Sequence, residues 1–472
     1  MSRGVDVSEG DTNLGAARAA WRRGVGEQAR GLIERDERSF LKQSLSTPCL
    51  SAVRRAEGIW IEDADGRRLM DFHGNSVHHL GHGHPKVKAA IARQMDALPF
   101  APRRFTCEPA VALAERLVAL APPGLNRVLF APGGSAAIEI ALKLARVATG
   151  RHKTLSFWDA FHGAGFGAAS VGGEALFRDG RLGPLLPGAA HVAPFACFRC
   201  PYGFPSPSGA PDLAACRMAC ARAATFALGR EGDIGALVAE PVRAVPYLPP
   251  PGFWPELRRA CDAGGTLLVF DEIPAGLGKT GRMFACEHAG AAPDILVLGK
   301  ALGGGMLPLA AVLARAELDV AGDLSVGHYT HEKNPVLAAA GLATLDVIEQ
   351  EGLVERAAEL GAYALGRLRE IAASRPLVGE VRGLGLLLGV ELVGPDGAPA
   401  VAAAEAALYA AMARGLNFKV SQGSVLTLSP PLIIARADLD RALDILAAAL
   451  DEAAAAARRD RVRGRSGIPG AA

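Results

Sequence analysis

Residues 295–305 have the sequence Ile-Leu-Val-Leu-Gly-Lys-Ala-Leu-Gly-Gly-Gly, a short apolar run followed by a lysine and a group of glycines. The apolar run is typical of a buried strand, and the glycines indicate tight turns directly after it. A lysine in this setting is shielded from water, which lowers its pKa and prepares the amine to attack a carbonyl carbon. We therefore single out Lys300 as a candidate nucleophile. Most lysines are surface charges, so the pattern alone leaves that alternative open.

Apolar runs of similar length recur before this segment and alternate with helical patterns. This alternation predicts a largely parallel sheet that is covered by helices on both faces. We expect strands at 128–130, 154–157, 234–238, 266–270 and 295–298, with helices that include 138–148 and 255–263. In open sheets of this class, ligands bind where the strands end, so the residues after each strand are the first candidates for a site.

Two loops that follow predicted strands carry residue types suited to a ligand. Gly133, Gly134 and Ser135 open a helix, and the free N–H groups at a helix start favour an anion such as phosphate. Asp271 ends a buried strand, where a carboxylate needs a partner such as a protonated heteroaromatic nitrogen. The alternatives are a tight turn capped by Ser135, and an acid that serves as a cap or in a salt bridge. The order of phosphate loop, acid and lysine along one sheet edge favours the ligand site.

The composition narrows the class of protein. The chain has 472 residues, 50% of them hydrophobic, and 51 basic against 49 acidic residues give a net charge of +2. This balance argues against nucleic acid or an anionic membrane as a partner. No apolar run approaches the roughly 18 residues that a membrane span requires. Eight cysteines in so long a chain are expected to be reduced thiols, and together these features predict a cytoplasmic enzyme.

Longer motifs spread over most of the chain form a single pattern. They are Leu80–Pro85 (LGHGHP), Phe161-His162-Gly163, Glu240-Pro241, Asp271-Glu272-Ile273, Gly278-Lys279-Thr280-Gly281, the segment 293–305 around Lys300, and His328-Tyr329-Thr330 with Asn334-Pro335. From about Ser46 to Leu450 the chain thereby resembles the class III (ω-amino) aminotransferase family of fold type I pyridoxal 5'-phosphate (PLP) enzymes. The resemblance implies an α/β fold whose large domain has a mostly parallel seven-stranded sheet, with a smaller α+β domain beside it.

The resemblance also implies a division of the chain. An N-terminal segment with part of the small domain is expected at 1–100, the large PLP-binding domain at 101–335, and a C-terminal small domain with a basic tail at 336–472. Residues 1–40 are expected to form a mobile or helical leader that contains Trp21. The last basic residues, 458–465, are expected to form a frayed, solvated end.

The resemblance assigns roles to individual residues. Lys300 is expected to hold PLP in a Schiff base and to shuttle a proton, and Asp271 to keep the pyridine nitrogen protonated. The other expected cofactor contacts are Gly134 and Ser135 at the phosphate, Phe161 and His162 at the pyridine ring, Glu240 at a strand end, and Thr330 at the phosphate of the neighbouring subunit's cofactor. A site completed across two chains implies a homodimer with shared active sites, and the expected substrate is a small amine.

The chain departs from the family pattern at three places. Pro274 stands where the family usually has a glutamine near the phenolic oxygen of PLP, and polar residues, His331 and Lys333 among them, replace a phenylalanine and two glycines after Thr330. Thr427 stands where many members carry an arginine that binds the α-carboxylate of a keto acid. Losing a charge-assisted contact of this kind costs about 2–5 kcal/mol, so ordinary use of 2-oxoglutarate is not expected.

Arg104 is the alternative anchor for an anionic substrate. A phospho-lyase branch of the family has an arginine at this position, and there the amine leaves with elimination of a β-substituent. A guanidinium suits a phosphonate, while surface salt bridging of Arg103 and Arg104 is the alternative. The flanking sequence resembles that of ammonia-lyases of the family, and the resemblance implies an enzyme that converts a small ω-amino phosphonate to an aldehyde and ammonia. An ω-aminotransferase and a non-catalytic PLP-binding protein are the other two hypotheses.

Four cysteines form two closely spaced pairs. Cys197 and Cys200 have two residues between them, and Cys216 and Cys220 have three. This spacing suits a structural zinc ion between two turns, remote from the PLP chemistry. The alternative is a set of simply buried thiols, because the second pair lies in an alanine-rich helical stretch.

Overall fold

The computed structural model describes residues 15–44, 46–206 and 209–465. The helices are α1 (Ala16–Arg23), α2 (Glu27–Ser39), α3 (Pro85–Ala97), α4 (Glu108–Leu120), α5 (Gly134–Thr149), α6 (Phe166–Val171), α7 (Leu213–Cys216), α8 (Ala219–Glu231), α9 (Phe253–Gly264), α10 (Pro335–Gln350), α11 (Leu353–Ala373), α12 (Val401–Ala413) and α13 (Arg436–Arg465). The strands are β1 (Val53–Glu57), β2 (Trp60–Asp63), β3 (Arg68–Asp71), β4 (Leu125–Ala131), β5 (Lys153–Phe157), β6 (Ala189–Val192), β7 (Ile234–Ala239), β8 (Leu267–Asp271), β9 (Ile295–Leu298), β10 (Ala310–Arg315), β11 (Val378–Leu384), β12 (Leu387–Leu392), β13 (Leu416–Asn417), β14 (Lys419–Ser421) and β15 (Val425–Leu428).

The chain divides into two compact units. The larger unit comprises residues 75–359, and the smaller one combines residues up to 74 with residues from 360 onward. The sequence-based boundaries at 100/101 and 335/336 stay a prediction. The expected leader contains α1 and α2, and its residues 1–14 lie outside the described residues, as do residues 466–472. The frayed end expected at residues 458–465 is instead helical and forms the last part of α13.

The larger unit is built on a seven-stranded sheet. Its strand order is β4-β10-β9-β8-β7-β5-β6, in which β10 is antiparallel to both of its neighbours and the remaining pairs are parallel. The predicted α/β fold with a mostly parallel seven-stranded sheet is thus confirmed. The sequence prediction missed β6 and β10, in which alanine occupies two of four and three of six positions. Alanine is depleted in strands, so these two segments carry little strand signal.

The centre of this sheet explains why its strands were recognisable. Every residue of β7, β8 and β9 is buried, as expected of strands covered on both faces. Helix α5 buries one face in the same cluster, where Ile138 and Ala141 are fully or almost fully shielded together with Val269 and Val297. This packing fixes the start of α5 near the ends of the central strands.

The smaller unit contains two four-stranded sheets. In one, β1, β2 and β3 form an antiparallel meander, and β13 adds to β3 in parallel, with Leu416 opposite Met70 and Asn417 opposite Asp71. Asn417 Nδ2 donates to Asp71 Oδ1 at 2.9 Å across 346 residues of sequence. The other sheet is antiparallel, with the order β11-β12-β15-β14. This arrangement confirms the predicted smaller α+β domain.

None of the helices that the structure describes combines the length and the apolar character that a membrane crossing would require.

Candidate active site

The candidate residues of the larger unit lie after strands that end at one edge of the sheet. Glu240 follows β7, Asp271 is the last residue of β8, and Lys300 follows β9 after one glycine. These three strands are adjacent and parallel, so their carboxyl ends share an edge. Ser135 lies in the first turn of α5, which follows β4, and His162 lies in the loop after β5. The topology therefore gathers these candidates where α/β sheets bind ligands.

Asp271 is buried and is held by a histidine. His162 Nδ1 donates to Asp271 Oδ2 at 2.8 Å, and the two side chains are 0% and 2% exposed. The other carboxylate oxygen accepts from the backbone N–H of Ile273 at 3.0 Å. The second ring nitrogen of His162 is buried and has no hydrogen-bond partner among the described residues. His162, predicted as a contact of the cofactor ring, thus contacts the acid that is expected to face that ring.

Glu240 adds a second buried carboxyl group to this region. Its Oε1 accepts from the backbone N–H of Ala244 at 2.9 Å. Burial raises the pKa of Glu240 above its ordinary value, whereas the neighbouring His162 and Arg243 counteract that rise. His162 thus interacts electrostatically with Glu240 and forms a hydrogen bond with Asp271. The three side chains therefore form one buried polar group.

The start of α5 is packed against the loop that carries His162. The backbone N–H of Ala164 donates to Ser135 Oγ at 3.1 Å. Gly163 has φ +129, and a Cβ atom there would lie 2.5 Å from the same oxygen, so only glycine fits. The helix begins at Gly134 with Gly133 as its N-cap, so the alternative in which Ser135 caps the helix is wrong. The N–H groups of the first turn have no partner within the helix and suit a phosphate.

Lys300 occupies an unusual backbone conformation. Its φ is +47, a value that costs a non-glycine residue about 1–2 kcal/mol. It begins a single 3₁₀ turn, Lys300–Gly303, which Gly304 closes in the left-handed region. Gly299 packs closely against Ile273: a Cβ atom added at Gly299 would lie only 3.3 Å from Ile273 Cγ2. The loop after β9 therefore contacts the loop after β8, and strain of this kind is characteristic of functional sites.

Phe161 presents an exposed ring next to this buried group. The side chain is 43% exposed, and its ring centroid lies 4.7 Å from that of Phe177. A half-exposed aromatic ring that is supported by a second ring offers a face for stacking.

Arg104 and Thr330 are both exposed, on two segments that contact each other. Arg103 Nη2 lies 2.8 Å from His328 Nε2, and Cys107 Sγ donates to the carbonyl oxygen of Lys333 at 3.5 Å. Arg103 therefore has a side-chain partner within the larger unit. Thr330 and its neighbours form a turn that leads into the N-cap of α10, Asn334.

Thr427 belongs to the smaller unit. It lies on β15 between Gly389 of β12 and Lys419 of β14, and it is 6% exposed. Its Oγ1 hydrogen-bonds to Ser421 Oγ at 3.1 Å. Where many family members have an arginine, this chain therefore has the buried hydroxyl of Thr427, which is hydrogen-bonded to the hydroxyl of Ser421.

The sequence motifs assign no role to Lys279, and they leave its neighbour His79 with two alternatives, a general acid for the expelled hydroxide or a core histidine. Lys279 is fully buried, and burial lowers its pKa to about 7. Burial and the charge of Lys279 lower the pKa of His79, whose Nε2 lies 3.1 Å from the carbonyl oxygen of Gly276. A neutral histidine bound to a carbonyl is a poor proton donor, so His79 fits a core residue better than a general acid. The only feature of the sequence that drew attention to Lys279 was the Gly-Lys-Thr-Gly motif that contains it.

The pKa of Lys279 predicts a pH-dependent stability. Because the folded pKa is lowered to about 7 from 10.5, the unfolded chain binds the extra proton between these values. This contribution therefore favours folding increasingly as the pH rises from about 7. The free energy of unfolding of the wild type, compared with that of Lys279→Met, is expected to rise by up to about 1.4 kcal/mol per pH unit between pH 7.5 and 9.5. Thermal unfolding at a series of pH values measures this difference. Lys88→Met, at an exposed lysine, serves as the control. Parallel plots of the free energy of unfolding against pH for the wild type and Lys279→Met would contradict the prediction.

The four cysteines Cys197, Cys200, Cys216 and Cys220 all line one small cavity. Its lining includes none of the residues expected to hold the cofactor, so the cavity is separate from the candidate active site.

Comparisons with known proteins agree with this geometry. Residues 42–450 match the sequence profile of the family described as Aminotransferase class-III. The chain is 44% identical over 456 residues to the (R)-1-hydroxy-2-aminoethylphosphonate ammonia-lyase of Vibrio splendidus (strain 12B01), and the match covers 94% of this chain and 95% of that protein. It is 36% identical over 435 residues to the leucine/methionine racemase of Thermococcus litoralis, covering 89% of this chain and 95% of that protein.

A solved structure extends the similarity to the fold. The amine transaminase from an uncultivated Pseudomonas species, in its PLP-bound form, is 32% identical and has a TM-score of 0.80, over 88% of this chain and 98% of that chain. The chain therefore belongs to the class III aminotransferase family and is a PLP-dependent enzyme of fold type I.

Proposed function

We propose that this enzyme is an ammonia-lyase that converts (R)-1-hydroxy-2-aminoethylphosphonate to phosphonoacetaldehyde and ammonia. The observation that carries the proposal is the 44% identity, over 94% of the chain, to the lyase from Vibrio splendidus. The reaction removes a proton from the carbon that bears the amine and expels hydroxide from the neighbouring carbon. Hydrolysis of the resulting enamine consumes one water, so substrate and products balance without any keto acid.

The residues of the larger unit fit PLP as the cofactor. PLP, when bound, supplies an electron sink for the carbanion that forms at the amine-bearing carbon. Lys300 is the residue proposed to hold it covalently and to take up the substrate proton. The buried carboxylate of Asp271 suits a protonated pyridine nitrogen, and His162 orients that carboxylate. The first-turn N–H groups of α5 and Ser135 suit the phosphate.

Further contacts are proposed for the ring and for a second copy of the chain. The exposed face of Phe161 suits stacking on the pyridine ring. Thr330 is exposed in the single chain, and the partner subunit's Thr330 is proposed to complete the phosphate site. We accordingly propose a cytoplasmic homodimer with shared active sites.

Substrate choice is proposed to rest on Arg104 and Thr427. The buried hydroxyl of Thr427 is bonded to Ser421 and carries no charge with which to bind a keto-acid carboxylate. Arg104 is exposed, and its planar guanidinium matches the oxygens of a phosphonate. Together they favour elimination from an amino-phosphonate over transfer of the amine to 2-oxoglutarate.

Ammonia release without a keto acid tests the reaction type. The purified, PLP-loaded enzyme is incubated with the hydroxylated amino-phosphonate, and ammonia and aldehyde are measured over many turnovers. Catalytic release of both in equal amounts is the expected result. Aldehyde that appears only after pyruvate or another keto acid is added would contradict the lyase and indicate an ω-aminotransferase.

Arg104→Ala tests the substrate anchor. Loss of a charge-assisted contact of about 2–4 kcal/mol is expected to lower kcat/KM for the amino-phosphonate by roughly 30- to 1000-fold, mainly through KM. Arg103→Ala is the matched control, because that guanidinium lies next in sequence but contacts His328. An equal loss in both variants would show that Arg104 has no special role.

A further inference from the structure

The four cysteines predicted to form two pairs converge on one enclosed cavity. The cavity has a volume of about 20 Å³, and it is lined by Cys197, Cys200, Cys216 and Cys220 together with Pro194, Ala196, Phe204, Pro211, Ala219 and Pro250. An electrostatic interaction couples Cys220 to Cys197 and Cys200, which belong to the other pair. Two segments that are separate in sequence therefore present their sulfur atoms to one space.

Water is a poor occupant for this cavity. A buried water needs about 10–15 Å³ and two to four polar partners. The cavity is large enough, but the side chains around it are thiols, prolines, alanines and one phenyl ring. Thiols are weak hydrogen-bonding groups, whereas thiolates are strong ligands for a soft or borderline metal ion.

The backbone is strained where the second pair meets the cavity. Arg217 and Met218 both have positive φ values, +45 and +47, between the end of α7 and the start of α8. Two consecutive non-glycine residues in this region cost about 1–2 kcal/mol each. The reversal brings Cys216, the last residue of α7, and Cys220, the second residue of α8, to the same cavity. The free energy of binding an ion between Cys216 and Cys220 would offset the backbone strain at Arg217 and Met218.

The first pair lies on a loop that folds back on itself. The backbone N–H of Gly203, with φ +85, donates to the carbonyl oxygen of Cys200 at 3.3 Å, and that of Ser206 donates to the carbonyl oxygen of Cys197 at 2.9 Å. The hydroxyl of Tyr202 anchors the loop by donating to the carbonyl oxygen of Ala193 at 2.7 Å. Each pair is thus held by its own tight turn, as in structural zinc sites built from two cysteine pairs.

We propose that Cys197, Cys200, Cys216 and Cys220 bind one structural zinc ion that fastens the loop after β6 to the start of α8. In this structure no three of the four sulfur atoms lie within 4.8 Å of one another. Thiolates around a single zinc ion lie about 3.8 Å apart, since each Zn–S bond is about 2.3 Å. Binding therefore requires the sulfur atoms to move closer together by at least about 1 Å, a movement open to two segments that lie outside the sheet.

Metal analysis of the full-length, PLP-loaded enzyme tests the proposal. Protein produced with zinc in the medium and purified without chelators is expected to hold about one zinc ion per chain. After removal of zinc under reducing conditions, titration with Co²⁺ is expected to give the visible d–d bands of a tetrahedral thiolate site. Less than about 0.1 zinc per chain together with no such bands in the wild type would overturn the proposal, whatever the variants do.

Variants from each pair give a second readout. Cys200→Ser and Cys216→Ser are each expected to lower the zinc content at least fivefold and to abolish the tetrahedral cobalt spectrum. Cys261→Ser is the matched control, because Cys261 is buried like Cys216 but does not line the cavity. An equal loss of metal in the control would also count against the site. The cobalt bands report on the sulfur ligands themselves, so the result is independent of ammonia release.

Discussion

Replacement of Lys300 by alanine is expected to lower turnover by on the order of 10⁴-fold. The proposed roles of this lysine, covalent attachment of the cofactor and uptake of the substrate proton, disappear together in the variant. The strained backbone at Lys300, with φ +47, indicates that the surrounding loops hold the residue in one conformation. Alanine keeps the Cβ atom, so the loop is expected to retain its shape while the amine is lost.

The measurement for Lys300 combines kinetics with chemical trapping. Borohydride is expected to fix the cofactor on the wild-type peptide that contains Lys300 and to leave the variant unlabelled by mass spectrometry. Lys88→Ala, at an exposed lysine of the same unit, is expected to behave like the wild type. If the Lys300 variant kept both the trapped cofactor and its turnover, the assignment of the nucleophile would have to be abandoned.

Asp271→Asn is expected to lower turnover by about 10²- to 10⁴-fold. Truncation of one partner of a buried ion pair costs about 3–5 kcal/mol, and the partner here is the proposed proton on the pyridine nitrogen. The amide keeps the shape of the side chain and a contact with His162, so the loss is expected to be electrostatic. The cofactor absorbance is expected to change its pH dependence in the same variant.

Two further variants separate charge from packing at Asp271. Asp294→Asn removes an equally buried carboxylate, 2% exposed, that is bound by Arg258 and Arg315. It is expected to lower the melting temperature while leaving the cofactor spectrum unchanged. His162→Gln, which alters the orientation of Asp271, is expected to lower turnover by a smaller factor, roughly tenfold. A spectrum that stays unchanged in Asp271→Asn would contradict the proposed pairing with the pyridine nitrogen.

The strand ends could be predicted from sequence because each one follows a short, continuous apolar run. Asp271 ends β8 and Lys300 follows β9 after one glycine, and the parallel arrangement of these strands places both at one edge. The bond between His162 and Asp271 could not be predicted, because it joins loops after β5 and β8, which β7 separates in the sheet. Sequence patterns give the edge at which a residue lies, but not the reach and direction of its side chain.

Burial of single polar residues was equally hidden in the sequence. Lys279 stands between glycine and threonine in a stretch with turn-forming residues, where a lysine is normally solvated, yet it is fully buried. The strands β6 and β10 were missed because alanine-rich segments carry little strand signal, although β10 completes the sheet between β4 and β9. These features depend on contacts between distant parts of the chain.

The parallel pairing of β13 with β3 has a consequence for the making of this protein. On the ribosome, β3 emerges long before its neighbour, and its outer edge stays open until residue 416 has been synthesised. At about 5–20 residues per second, the 346 residues between Asp71 and Asn417 correspond to a delay of roughly 17–70 s. An unprotected strand edge in a nascent chain invites intermolecular pairing. Genes truncated before this codon would therefore yield chains that precipitate, and faster translation or a chaperone that shields the edge would favour a high yield of folded enzyme.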